Sequence, residues 1–189
     1  RRTIRFEYLV SSAPFPKMLD MTGLAYDAEK LTWNKVLVFN LGFDAKSWED
    51  IHWVYFPERE YAFYRIGFYD NIFGTDRLSL YVELGHKAND AIDVDAARAQ
   101  VLTDLKRAGV IDDHKLVAEH NIVLDPAYVH ITGESREMVT SYRETLASRG
   151  IFSIGRYGGW TYCSIEDNMI EARTLAQRLN RIEALPSRL

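Results

Sequence analysis

Between Lys35 and Lys87 four β-rich runs follow one another: Lys35 to Phe43, His52 to Pro57, Ala62 to Tyr69 and Leu78 to Leu84. Only Gly-, Asp-, Asn- and Pro-containing turns separate them. The regular β-α alternation of a doubly wound parallel fold is missing, and successive antiparallel strands are predicted. The runs carry Trp53, Tyr55, Phe56, Phe63, Tyr64, Phe68 and Tyr69. Strands favour these side chains, which also furnish stacking surfaces.

Helical patterns surround this block. An apolar strand pattern from Ile4 to Val10 breaks at Pro14, and Phe15 to Thr22 reads as a short helix closed by Gly23. Asp93 to Ala108 places Val94, Ala97, Val101, Leu105 and Ala108 at three- and four-residue spacing, with Gly109 beyond. Leu116 to Leu124 and Tyr128 to Ile131 return to strand character on either side of Asp125-Pro126. Glu134 to Arg149 is again helical, with Met138, Tyr142 and Leu146 on one face, and Ile151 to Ile154 is a short apolar run. The predicted class is α+β, an antiparallel or mixed sheet with helices packed on one face. No G-x-G-x-x-G follows a strand, so the dinucleotide-binding fingerprint is absent from this sequence.

Composition narrows the functional classes. A chain of 189 residues, 47% hydrophobic, can bury one substantial core as one domain or a tightly joined pair. A net charge of -4 gives no general attraction for nucleic acid or anionic lipid, so anion binding requires a local cluster. The longest apolar runs are strand-sized, far below the roughly 20 residues that span a bilayer. Cys163 is the one cysteine, which excludes an internal disulfide framework and suits a reducing, cytoplasmic setting. It reads as a packing residue, since no lysine or histidine flanks it closely. His52, His86, His114, His120 and His130 show no metal-ligand spacing, and no metal site is expected.

The window GRYGGWTYCSIEDNMIEA, residues 155 to 172, concentrates chemistry. Ser164-Ile-Glu-Asp has the outline of a capping box, and Ile165, Met169, Ala172, Ala176 and Leu179 form an apolar stripe behind it. Gly155, Gly158 and Gly159 let the chain turn sharply ahead of the helix start, which attracts partial negative charge. Arg156 adds a fork of donors suited to phosphate or carboxylate. The plainer reading has Arg156 paired with a surface acid and Trp160 and Tyr162 filling a core.

GRYGGWTY followed by a helix resembles the C-terminal motif of UDP-galactopyranose mutases and their relatives in the FAD-dependent amine oxidase and protoporphyrinogen oxidase-like superfamily. HWVYFPEREYAFYRIGFYDN at 52 to 71, the Tyr8-Leu-Val-Ser-Ser-Ala-Pro strand-turn and DPAYVHI at 125 to 131 follow in the order of that family's substrate-binding half. The resemblance implies a fragment of a two-domain flavoprotein whose N-terminal half carries the FAD fingerprint, in keeping with the abrupt start at Arg1. Its implied layout is a substrate-binding part over 1–163, a helix over 164–184 completing the FAD-binding domain, and a tail at 185–189. It further implies that the amides of Ile165, Glu166 and Asp167 face the flavin pyrimidine carbonyl, that Gly155 passes close to the cofactor, and that Arg156 and Tyr162 contact the substrate diphosphate or the cofactor edge. Tyr64, Arg65 and Tyr128 would line the substrate cavity. The pattern departs from the mutases at Ser164, where they often have aspartate, and a complete set of uridine-stacking aromatics is not found. No catalytic residue is assigned.

Three functions compete. The first is an FAD-dependent isomerase interconverting pyranose and furanose forms of a nucleotide sugar, as in lipopolysaccharide biosynthesis, with a diphosphate clamp on Arg65 and Arg156. The second is an FAD-dependent oxidoreductase of the amine oxidase or protoporphyrinogen oxidase type. The third is a cofactor-free binding module. Expected partners are a small-molecule substrate, the N-terminal FAD-binding half and, as a homo-oligomer, further copies of the chain.

Overall fold

The computed structural model describes residues 2–183. Arg1 and the expected tail at 185–189 lie outside them. In chain order the elements are β1 (Leu9–Ser11), α1 (Phe15–Thr22), a 3-10 turn at Ala28–Lys30, β2 (Trp33–Phe43), β3 (Trp53–Tyr55), β4 (Arg65–Phe68), α2 (Tyr69–Phe73) and β5 (Ser79–Lys87). They continue with α3 (Val94–Arg107), β6 (Leu116–Val129), α4 (Gly133–Ala147), β7 (Ile151–Ser153), α5 (Gly155–Gly158) and α6 (Ile165–Glu183). The class is α+β, with parallel and antiparallel pairing both present. The chain divides into two compact units, residues 34–127 and the remainder from both ends. The boundary read from sequence at 163/164 differs from this division, which places α6 in one unit with β1, α1, α4 and β7.

In the central unit the strand order is β3-β4-β5-β2-β6. β4 pairs antiparallel with β3 and with β5, as successive strands should, but β2 skips β3 and pairs with β5, Phe39 opposite Val82. Local alternation cannot specify that choice, because it places side chains on a face and not beside a particular neighbour. One sheet face buries Leu37, Phe39, Leu41, Ile66, Phe68, Leu80, Val82 and Leu84 against Val101 and Leu105 of α3. α3 begins where Asp93 Oδ1 accepts the Ala96 amide at 3.0 Å and ends with Gly109 at φ +70. α2, not expected from sequence, is pinned by buried Asp70, which pairs with Lys46 and accepts the Ser79 amide at 3.2 Å. The two strand patterns around Asp125-Pro126 form one strand, β6.

In the terminal unit β1 and β7 form a two-stranded parallel ladder, Leu9 opposite Ile151 and Ser11 opposite Ser153. The apolar pattern from Ile4 forms strand only from Leu9, because β7 is three residues long; Ile4 and Phe6 are exposed. Phe15, Met18 and Leu19 of α1 pack with Leu31, Val139, Leu146, Ile151 and Trp160. α1 stops at Gly23, φ +67, whose amide reaches Asp20 O. α4 is opened by Thr132, which exchanges hydrogen bonds with Ser135. Among the described residues no helix is long and apolar enough to cross a membrane, and no group of His, Cys, Asp or Glu could hold a metal ion.

Candidate functional site

The glycine window is built by its own backbone. Gly155 has φ +81, and its N–H donates to Glu171 Oε2 at 2.8 Å. A side chain there would meet Asn168 Oδ1 at 3.3 Å, and one at Gly158 would meet Ser11 O and Ser153 Oγ at 3.0 Å. The tight turn is therefore a device for packing α5 against β1, β7 and α6. It returns the chain as the four-residue helix α5, where sequence suggested a bare loop.

Trp160 and Tyr162 then part company. Trp160, at φ +47, is 3% exposed and meets Trp33 edge-on at 5.9 Å between ring centroids; its Nε1 has no hydrogen-bond partner among the described residues. Tyr162 is 71% exposed, so only the tryptophan fills the core. The Arg156 guanidinium lies 4.5 Å from the Tyr162 ring centroid and 5.3 Å from that of Tyr128. The surface acid of the plainer reading is absent: among the described residues no carboxylate pairs with Arg156. Two rings hold a charged fork whose hydrogen-bonding edges are not consumed by an anion.

α6 starts at the capping box read from sequence. Ser164 Oγ accepts the Asp167 amide at 3.1 Å, and Asp167 Oδ2 accepts the Ser164 amide and hydroxyl, both at 2.8 Å. Donation from the Ser164 backbone, and then from its hydroxyl, holds the Asp167 carboxyl below its ordinary value. The cap consumes the Asp167 amide, so of the three amides expected to face a cofactor only those of Ile165 and Glu166 lack a partner among the described residues. Ile165 is 82% exposed. The half-buried side of α6 is Asn168, Glu171, Leu175 and Leu179, whereas Met169, Ala172 and Ala176 of the expected stripe face outward with Ile165. A groove of about 760 Å³ between α4, β7 and α6 is lined by Arg143, Phe152, Glu171 and Arg178, and not by the helix start.

In the central unit Tyr64 and Arg65 come together on the sheet face opposite α3, around a residue that sequence reasoning missed. Glu83 is 8% exposed, accepts the Tyr64 hydroxyl and pairs with Arg65 Nη2. The signal was present: an acid inside the apolar run Leu78 to Leu84 requires a partner if the strand is buried. Tyr55 and Tyr81 flank the same guanidinium at 5.7 and 5.8 Å, and Tyr55 Oη accepts from Arg65 Nη1 at 3.2 Å. The Tyr81 ring lies across Gly67, where a Cβ would sit 2.0 Å from it. Burial raises the Tyr81 pKa, against an opposing effect of Arg65 and with smaller upward contributions from Glu83, Tyr69 and Tyr55.

No protein-family profile and no curated protein sequence matches the chain. Solved structures do. A reduced UDP-galactopyranose mutase superimposes with a TM-score of 0.72 at 22% identity, covering 84% of this chain and 37% of that one. A protein described as a protoporphyrinogen oxidase, from Exiguobacterium sp. 255-15, gives 0.63 at 18% identity, covering 79% and 36%. A conjugated-linoleic-acid-producing fatty acid isomerase from P. acnes gives 0.61 at 16% identity, covering 90% and 41%. The chain thus spans well under half the length of each, and it shares its fold with the matching parts.

Proposed function

We propose that this chain is the substrate-binding and helix-capping part of an FAD-dependent enzyme acting on a nucleotide sugar, interconverting its pyranose and furanose forms. The observation that carries the reading is the Arg156 guanidinium, held by Tyr128 and Tyr162 with no carboxylate partner among the described residues, a few residues ahead of a helix with two amides that no described residue uses. Two anionic or electron-rich groups have somewhere to go: a diphosphate on Arg156, and the flavin pyrimidine edge on the amides of Ile165 and Glu166.

FAD fits the residues present on that chemistry, because a flavin edge that gains charge on reduction needs donors not already consumed by the protein. When bound, FAD supplies the electron-rich centre that the chain itself lacks. This chain's residues bind and orient. Asp167 and Ser164 fix the first turn of α6, Gly155 ties the turn ahead of it to Glu171, and Arg156 and Tyr162 position an anion. Tyr64 and Arg65 are proposed substrate contacts on the central sheet. Arg65 is already neutralised by Glu83, so the diphosphate role falls to Arg156 and Arg65 offers a fixed, charge-balanced surface.

The open aromatic face of Trp53 and Tyr55, 59% and 57% exposed, favours a second reading, an FAD-dependent oxidoreductase taking an apolar substrate. Product analysis of the intact parent enzyme distinguishes them: a ring-contracted sugar with no net redox change supports the first, an oxidised product with an acceptor reduced supports the second. A parent protein that purifies without flavin absorbance and still binds ligand would overturn both in favour of a binding module. The 189-residue chain alone is expected to be colourless and inactive, with half of the cofactor contacts lacking.

A further inference from the structure

β6 ends the sheet order, and among the described residues no strand lies beyond it. It is 14 residues long, and every residue from Val117 to Asp125 is exposed. Val117 is 60% exposed, Ile122 45%, Val123 39% and Leu124 40%. A long edge strand with apolar side chains on both faces invites another strand, and no proline interrupts it before Pro126.

The sequence of this edge is complementary to itself. Lys115-Leu-Val-Ala-Glu-His-Asn-Ile-Val-Leu-Asp125, laid antiparallel on a second copy about His120, puts Lys115 opposite Asp125, Leu116 opposite Leu124, Val117 opposite Val123, Ala118 opposite Ile122, and Glu119 opposite Asn121. Apolar meets apolar at each such position, and an ion pair closes each end. Shifting the two-fold axis one residue toward the N-terminus would set Glu119 against Glu119; shifting it one residue the other way would set Leu116 against Pro126 and leave Lys115 facing Ala127. Like charges directly opposite destabilise, and proline cannot donate to the ladder.

Gly42 lies against Ala118, Lys35 Nζ is 3.6 Å from Asp125 Oδ2, and the Asp44 amide donates to Lys115 O at 3.1 Å, so β6 runs antiparallel beside β2. In the two-fold arrangement His120 meets its own copy. Lys115 is exposed, and the Asp125 side chain is 43% exposed beside Lys35.

We propose that β6 is a self-association surface: two copies of this chain pair antiparallel through Leu116–Leu124 about His120, joining two five-stranded sheets into one isologous ten-stranded sheet. The proposal is independent of the cofactor and substrate.

The test is a cysteine scan on the 189-residue chain with Cys163→Ser as background. His120→Cys should form a disulfide-linked dimer on mild oxidation, since residues directly opposite in an antiparallel pair bring their Cα atoms to about 4.5 to 5.5 Å, within disulfide reach. Ala118→Cys and Ile122→Cys should cross-link poorly alone and well when the two variants are mixed. By sedimentation, Lys115→Glu should weaken the dimer about tenfold while Lys115→Arg leaves it unchanged. A chain monomeric at tens of micromolar would overturn the proposal, and so would cross-linking strongest at another residue. A monomeric intact parent in which every amide from Val117 to Val123 is protected from exchange would also overturn it, by showing that a different strand covers β6.

Discussion

Among the described residues two arginines sit between aromatic rings, one in each unit, and their surroundings differ in one respect. Arg65 is flanked by Tyr55 and Tyr81 and also pairs with buried Glu83; Arg156 is flanked by Tyr128 and Tyr162 and has no acid partner among the described residues. The first is a closed structural network, because leaving either charge alone in a partly buried setting is costly. The second keeps a cation positioned while its charge is unmet. In the proposed function the arginine without a carboxylate is the one that takes a ligand, whereas the one paired with Glu83 organises the sheet face.

The comparison can be broken most easily at Glu83. Glu83→Ala should lower stability by about 3 kcal/mol in urea unfolding, because it removes the buried carboxylate that pairs with the Arg65 guanidinium and accepts the Tyr64 hydroxyl. A loss below about 1 kcal/mol would mean that the two arginines are not different in kind. Gly67→Ala should follow at about 1 to 3 kcal/mol, since the new methyl occupies the space of the Tyr81 ring. The same variant should move the Tyr81 titration, read by ultraviolet difference, back toward the ordinary tyrosine value. Ser164→Ala should remove about 1 kcal/mol by uncapping α6, visible as lost helical ellipticity. Arg156→Ala should change stability least, by under about 1 kcal/mol, because a part-exposed cation-ring contact is all that it removes.

Acid and base should act on different places. The Asp167 pKa is lowered by folding, so its contribution is present above its unfolded value of 3.8 and is lost as pH falls through the lower folded value. Helix α6 should therefore weaken in acid. The Tyr81 pKa is raised by folding, so its contribution is complete below 10.0 and is lost as pH rises through the folded value. Helical ellipticity followed in acid and tyrosinate absorbance followed in base test the two separately.

What was legible in the sequence was local. Gly23 and Gly109 ended helices where expected, Ser164 and Asp167 formed their cap, and the α3 stripe faced the core, because each depends on residues within a turn or two of one another. What was not legible depended on distant partners. Nothing within β2 states that it pairs with β5 and not β3, and nothing near Leu9 names Ile151 as its neighbour. The length of β1 was set by a three-residue partner, so an apolar run from Ile4 could not reveal it. In the candidate site, Arg156 and Tyr162 were visible as residue types, but the ring of Tyr128 joining them from 28 residues upstream was not. The expected apolar stripe of α6 was real as a pattern and wrong as a guide to burial: Asn168 and Glu171 turn inward to serve Cys163 and Gly155, leaving Ile165 and Met169 outside.

The central claim, that Arg156 is the unmet cation awaiting an anionic ligand beside a flavin, is tested most directly by titrating UDP into the intact flavin-loaded parent enzyme and its Arg156→Ala variant, following the flavin absorbance. The account predicts that the variant retains flavin and binds UDP about tenfold to a hundredfold more weakly, the loss of one or two charge-assisted hydrogen bonds. Undiminished UDP affinity in the variant would contradict it.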